Sequence, residues 1–209
     1  MIDKEIYKEY VKKLIEGDKN GCIELVNSLL DQGVNVKELY VDLIQPSMYE
    51  VGELWETGEI SVADEHLATS INDRILTIIY PRIFSGEKTG KSAVIACASN
   101  EFHQLGGRIV ADYFELLGWD GYFIGANTPI NDLIEMLKEK HPDILGLSIA
   151  MYSNVPDLLD TIEKVREEFS SMKILVGGQA FKSGGSEVLD EYEGVQYITS
   201  LDELEEIIG

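Results

Sequence analysis

The sequence predicts an α + α/β chain: an N-terminal four-helix bundle followed by a flavodoxin-like domain built on a five-stranded parallel sheet. Three observations predict it. Apolar residues in the first eighty-odd positions recur at helical spacing only. A polar, glycine-containing stretch, Ser85-Gly86-Glu87-Lys88-Thr89-Gly90-Lys91, then interrupts the pattern. Beyond it, short strand-like runs alternate with amphipathic helical segments. The expected organisation is a bundle over 1–84, a flexible linker over 85–91 and an α/β domain over 92–209.

In the first part, residues 2–16 place Ile6, Tyr10, Val11, Leu14 and Ile15 near one helical face, and Gly17-Asp18 ends the segment. Residues 22–30 form a second apolar face that stops near Gly33. Asn35 is placed to cap a third helix through Tyr40, Leu43 and Met48 to Trp55, with a kink expected at Pro46. Thr57-Gly58-Glu59 reads as a turn. Ser61 with Asp64 three residues later resembles a capping box, opening a fourth helix from Val62 to about Tyr80, and Pro81 closes it. Four helices with short connections imply a bundle.

In the second part, buried-strand runs lie at 93–98, 121–124, 144–149, 174–176 and, more weakly, 196–198. Helical segments at 104–117, 130–140, 155–169, 187–192 and 201–208 separate them. This alternation implies parallel strands with right-handed crossovers and a ligand crevice between the first and third strands.

Composition narrows the function. With a formal net charge of −21, the chain repels a phosphate backbone, so direct nucleic-acid binding is not expected. No apolar run approaches the roughly 20 residues of a membrane span. The charged N-terminal segment lacks a signal core, so a cytoplasmic location is expected. Cys22 and Cys97 read as isolated buried thiols, and no paired Cys/His spacing points to zinc.

Three loops should converge at the carboxyl edge of the sheet. The first carries Asn100, Glu101, His103, Gly106 and Gly107, the next runs from Ser148 to Ser153, and the last is Gly177-Gly178-Gln179-Ala180-Phe181. The places where a phosphoacceptor domain needs aspartate and lysine hold Ser148–Ser153 and Thr199-Ser200. A flavin phosphate loop would be rich in Ser and Thr where Glu101 stands. No Walker A loop, G-x-G-x-x-G fingerprint or G-x-S-x-G elbow occurs. A metal-ligating imidazole fits better: a carboxylate two residues before His103 is placed to accept its second N–H and fix the tautomer. Most lone histidines are structural, and one imidazole holds a bare ion poorly. A metal already held by a macrocycle needs only an axial ligand.

Together these residues resemble the cobalamin-binding domain family. Its acid-x-His-x-x-Gly loop is matched by Glu101-Phe102-His103-Gln104-Leu105-Gly106, its serine motif after the third strand by Ser148-Ile149-Ala150, and its double glycine by Gly177-Gly178. Gly125-Ala126-Asn127-Thr128-Pro129 is similar to the family's loop after the second strand. The usual aspartate is replaced by the longer Glu101. The resemblance implies that His103 takes the lower axial position on cobalt. It also implies that Ser148 contacts the displaced nucleotide tail, which passes a slot made by Gly106, Gly177 and Gly178. In the first part, Trp55, nine residues, then Glu65-His66 is similar to the W-x9-E-H pattern of light-sensing adenosylcobalamin-dependent regulators. That likeness implies an upper-ligand pocket of Trp55, Val62, Glu65 and His66. Glu65 and His66, adjacent on a helix, should diverge by about 100°.

The reading placed first is a stand-alone, light-responsive adenosylcobalamin sensor. It has no counterpart of the regulators' winged helix-turn-helix and so acts on a protein signalling partner. The alternative is a corrinoid methyl carrier for a methyltransferase, using methylcobalamin. Storage or delivery of cobalamin is a third possibility. In none of these is the chain itself expected to be an enzyme.

Overall fold

The computed structural model describes residues 2–83 and 87–208. The chain forms two compact units, Met1–Phe84 and Ser85–Gly209. Of the stretch read as a linker, residues 85 and 86 lie outside the described residues.

The first unit is helical. Helix α1 (Lys4–Ile15) starts where Asp3 accepts the N–H groups of Glu5 and Ile6, and buries Tyr10, Val11 and Leu14. Helix α2 (Lys19–Asp31) starts at Asp18, whose carboxylate accepts from Gly21. Asn35 caps α3 (Val36–Leu39) through the Glu38 N–H, as expected.

The segment expected as one helix with a kink at Pro46 is divided ahead of that proline. A π-helical turn over Tyr40–Ile44 joins α3 to α4 (Gln45–Glu56). There the Gln45 N–H reaches back five residues to the Tyr40 carbonyl. Pro46 offers no N–H and its ring would press on the carbonyl four residues earlier, so the backbone widens by one residue ahead of it. The widened turn places Tyr40, Leu43 and Ile44 in the core. The Ser47 hydroxyl donates to the Ile44 carbonyl at 2.8 Å. Helix α5 (Val62–Ile79) opens with the expected capping box, Ser61 and Asp64 each accepting the other's backbone N–H. It buries Ala68, Ile71, Asn72, Ile75, Leu76 and Ile79 against α1, α2 and α4. Each large aliphatic side chain so buried contributes about 1.5–3 kcal/mol. Inside this core the Tyr10 hydroxyl donates to Asn72 Oδ1 at 2.5 Å.

The second unit is a parallel sheet of β1 (Ser92–Cys97), β2 (Asp120–Phe123), β3 (Ile144–Ser148), β4 (Lys173–Gly177) and β5 (Val195–Ile198), in the order β2-β1-β3-β4-β5. This is the flavodoxin-like order the alternation predicts. Residues 88–91 are tied to this unit: the Thr89 N–H donates to Gly118 O at 2.8 Å, and Lys88 Nζ donates to Asp120 Oδ1 at 2.9 Å. One sheet face carries Val94, Ala96, Leu145, Leu147, Ile174 and Val176. It packs on α7 (Ile130–Lys140) and α8 (Val155–Glu168) through Leu133, Leu137, Leu158, Ile162 and Val165. Helix α6 (Leu105–Leu116) packs on the other face, and its Tyr113 hydroxyl donates to Glu205 of α9 (Leu201–Ile208) at 2.6 Å. The helix expected over 187–192 is instead a 3-10 segment, Ser186–Glu191. It is short and flanked by Gly185 at φ +91° and Gly194 at φ +73°, which leaves no length for an α-helical nucleus.

Candidate functional site

Strand pairing sets the site. Cys97 pairs with Ser148, and Ser148 with Gly177. These three residues therefore stand side by side at the carboxyl ends of three adjacent strands, on the face that α6 covers. That is the crevice at the topological switch point between β1 and β3.

The loop after β1 begins at Asn100, in the left-handed region at φ +62°. Its N–H donates to Asn127 Oδ1 at 3.0 Å, and the Asn127 N–H returns a bond to Glu101 O at 3.0 Å. This lacing to the loop after β2 turns Glu101 inward, where it is fully buried. Its carboxylate accepts five hydrogen bonds. Oε1 takes the His103 N–H at 2.9 Å and His103 Nδ1–H at 2.5 Å. Oε2 takes the N–H groups of Ala150 at 2.9 Å and Met151 at 3.1 Å, and Asn154 Nδ2 at 3.2 Å.

Burial works against the charge on Glu101, but the bonds from the His103 ring and backbone and from Met151 and Ala150 overcome it. They hold the carboxyl down at about 2. An ionised carboxylate only accepts, so Nδ1 of His103 carries the proton and the ring's basic lone pair lies on Nε2. The imidazole is about half exposed. Beneath it, burial drives the Cys97 thiol up to about 12, and its Sγ donates weakly to His103 O at 3.8 Å.

The glycines divide into two kinds. A Cβ on Gly106 would meet only Ser148 Oγ, at 3.8 Å, and one on Gly177 only Ile198 O, at 3.6 Å. Space therefore lies open beside both. Gly107 and Gly178 serve the scaffold instead. A Cβ on Gly107 would come within 3.0 Å of the Phe123 ring, which sets how closely α6 packs on the sheet. Gly178 has φ +114°, and a Cβ there would collide with the Ile149 carbonyl. The slot expected from Gly106, Gly177 and Gly178 thus has Gly106 and Gly177 as its open walls, with Gly178 supplying backbone shape. Phe102, Met151 and Tyr152, in the loops after β1 and β3, are exposed large apolar side chains.

Among the described residues no group of three or more His, Cys, Asp or Glu side chains gathers as a set for a bare ion. A half-exposed imidazole of fixed tautomer, an open-sided slot next to Ser148 and a rim of uncovered apolar side chains fit a macrocycle-held metal with a tail. Sequence reasoning placed Asn100 and Asn127 in loops at this edge without giving either a role, and it missed Asn154. It also missed the main-chain donors at Ala150 and Met151, which leave no trace in residue type.

In the first unit, the expected upper-ligand residues lie at the corner between α4 and α5. Trp55 is partly exposed and Val62 is half exposed. Glu65 and His66 differ in exposure: the Glu65 side chain is 16% exposed and the His66 side chain 75%. Thr69 Oγ1 donates to Glu65 Oε1 at 2.9 Å, and His66 Nε2 lies 3.7 Å from Glu65 Oε2.

Comparisons with known proteins show the family. Residues 91–208 match the family described as B12 binding domain, and residues 6–80 match a second family of the same description. The chain is similar to dimethylamine corrinoid protein 1 of Methanosarcina acetivorans, 25% identical over 182 residues that make up 85% of each protein. It is also similar to the HTH-type transcriptional repressor CarH of Myxococcus xanthus, 28% identical over 144 residues. That match takes in 68% of this chain but about half (47%) of the repressor. The structure of the Methanosarcina barkeri monomethylamine corrinoid protein superimposes with a TM-score of 0.85 at 19% identity, covering 98% of this chain and 97% of that one. No helix among the described residues is long and apolar enough to cross a membrane.

Proposed function

The chain belongs to the B12-binding domain family, and on that premise we propose that it is a corrinoid methyl carrier serving a methyltransferase. The observation that carries this reading is end-to-end likeness. The dimethylamine corrinoid protein is matched over 85% of both chains, whereas the light-sensing reading leans on a repressor matched over less than half its length. This reverses the order in which the sequence alone ranked the two. On this reading the chain is a carrier and the chemistry on the methyl donor belongs to a partner enzyme.

Bound cobalamin supplies a cobalt that accepts and gives up a methyl group. The chain's own residues hold and orient it. His103 would hold the metal through Nε2, and Glu101 keeps the ring in that tautomer. The space beside Gly106 and Gly177, next to Ser148, would take the nucleotide tail, and the exposed Phe102, Met151 and Tyr152 would offer the macrocycle apolar contact. Methylcobalamin is the working form in this reading. The W-x9-E-H spacing, with Trp55 and His66 both presented at the surface of their unit, is what favours the second reading, an adenosylcobalamin light sensor with a protein partner.

One experiment separates them. Holoprotein is reduced, methylated with methyl iodide and mixed with a thiol acceptor and a corrinoid-dependent methylamine methyltransferase. A second sample is loaded with adenosylcobalamin and illuminated. The carrier reading expects enzyme-dependent methyl transfer that His103→Ala impairs, and no light-driven change in hydrodynamic radius. A radius change on illumination, with no methyl transfer, overturns it.

A further inference from the structure

We propose that Tyr113 and Glu205 select the lower base of the bound corrinoid, favouring a base that carries a hydrogen-bond donor over the dimethylbenzimidazole of cobalamin. This rests on the reading above, in which the nucleotide tail enters beside Gly106 and Gly177. Tyr113 follows Gly106 by seven residues on α6, so it lies within about 20° of the same helix face and about 10 Å farther along the axis. Ile109 and Val110 occupy the turn between them. On the sheet, the layer of Cys97, Ser148 and Gly177 is followed, two residues back on each strand, by Ile95, Gly146 and Leu175 on the same face. The walls leading inward from Ser148 are therefore apolar. Gly177 pairs with Ile198 at the end of β5, and the chain turns from there into α9. Helices α6 and α9 thus flank the slot, and a hydrogen bond joins them across it: the Tyr113 hydroxyl donates to Glu205 Oε2 at 2.6 Å. Tyr113 is fully buried. The bond closes the inner end of the slot.

The chemistry of that end differs from its walls. Helix α9 buries Leu201, Leu204 and Ile208, and a further leucine facing Tyr113 would extend the same apolar packing. A half-buried carboxylate stands there instead. Carboxylate oxygens only accept, and the phenol oxygen accepts while its proton is donated to Glu205. The pair therefore meets an incoming ring as an acceptor surface of negative charge. A hydroxyl on the far edge of the base donates to that surface. Methyl groups at the same edge displace water from it and return no hydrogen bond. A site built around a hydrogen bond rejects the analogue that lacks the donor. Because Glu205 is partly exposed, solvent screens the interaction, and the discrimination expected is about tenfold.

The test is a set of competition titrations with corrinoids that share a hydroxo upper ligand: cobalamin, the cobamide whose lower base is hydroxybenzimidazole, and cobinamide, which lacks the nucleotide. Wild type should take the hydroxybenzimidazole cobamide about tenfold more tightly than cobalamin. Glu205→Leu should bring that ratio to about one, and Tyr113→Phe, which leaves the carboxylate, to about three. Affinity for cobinamide should stay within about twofold throughout. Equal affinity of wild type for the two tailed corrinoids overturns the proposal and leaves the carrier reading intact. So does a ratio that Glu205→Leu leaves unchanged while melting temperature and every affinity fall together, the result a purely structural tie between α6 and α9 would give. Should Glu205→Leu fail to fold, Glu205→Gln keeps the shape and loses the charge, and an unchanged ratio there is equally fatal. Uptake of cobinamide but of neither tailed corrinoid removes the slot from tail binding and the proposal with it. Uptake of no corrinoid at all ends the carrier reading and this inference together.

Discussion

Around His103, a buried carboxylate gathers five hydrogen bonds from two loops, and the ring it holds has one defined tautomer. Around Trp55 the arrangement is the opposite. The corner between α4 and α5 is ordered by its own local bonds, Thr57 Oγ1 to the Glu53 and Leu54 carbonyls and the Ser61–Asp64 box. Its distinctive side chains, Trp55, Val62 and His66, are left at the surface of the unit. A site that spends hydrogen bonds on holding a ligating atom before the ligand arrives binds through preorganisation. A corner of uncovered apolar and imidazole groups contributes only when something covers it. Affinity for the corrin should therefore reside in the α/β unit, and discrimination among upper ligands in the helical one.

The largest effect that sharpens this contrast is at Glu101. Its carboxyl is held at about 2 in the folded protein, against an ordinary glutamate value of about 4.3 in the unfolded chain. A depressed folded value stabilises above the unfolded value and is lost as pH falls through the folded one. The contribution, about 3 kcal/mol, should be complete above pH of about 4.3 and vanish toward pH of about 2. Glu101→Gln should thus lower denaturant stability by about 3 kcal/mol at neutral pH, and the gap to wild type should close over that window. A gap independent of pH would show that Glu101 is not the organising charge of this edge.

Next in size is a pair of glycine substitutions that opposes scaffold to slot. Gly178→Ala puts a Cβ against the Ile149 carbonyl at φ +114° and should cost about 1–3 kcal/mol in the cobalamin-free protein. Gly106→Ala meets nothing closer than 3.8 Å and lies in the first turn of α6, so stability should hold or rise by up to about 1 kcal/mol. The same methyl narrows the open wall beside Ser148, and cobalamin uptake should weaken about tenfold or more. Equal loss of stability in both variants, by thermal or urea unfolding, would remove the distinction.

The sequence carried the sheet order, the capping boundaries and the Glu101–His103 bond, because each depends on residue type at fixed spacing. Strand runs, the Ser61–Asp64 box and an acid two residues before a histidine are all local patterns. The π turn at Tyr40–Ile44 was hidden because proline announces a disturbance of the helix but not which carbonyl the backbone will choose. The two roles of the glycines were equally hidden: Gly177 and Gly178 are adjacent and identical in type, and only the Ile149 carbonyl separates them. The Oε2 half of the Glu101 network depends on main-chain donors some fifty residues away, which no residue name records.

The smallest expected effect on cobalamin binding tests the helical corner. Trp55 is 38% exposed at the end of α4, so most of its indole is covered, and Trp55→Ala should cost the cobalamin-free protein about 2–3 kcal/mol; binding is compared on folded samples with matching far-UV circular dichroism. Total affinity for hydroxocobalamin, governed by the other unit, should stay within about twofold, a few tenths of a kcal/mol. What should move is the ratio of affinities for adenosyl- and methylcobalamin, since the adenosyl group brings an aromatic face for the indole and methyl does not. A ratio that falls by several-fold in competition titrations would assign the corner to the upper ligand and strengthen the light-sensing reading. An unchanged ratio leaves Trp55 without a role in choosing that ligand, as a shuttled methyl group requires.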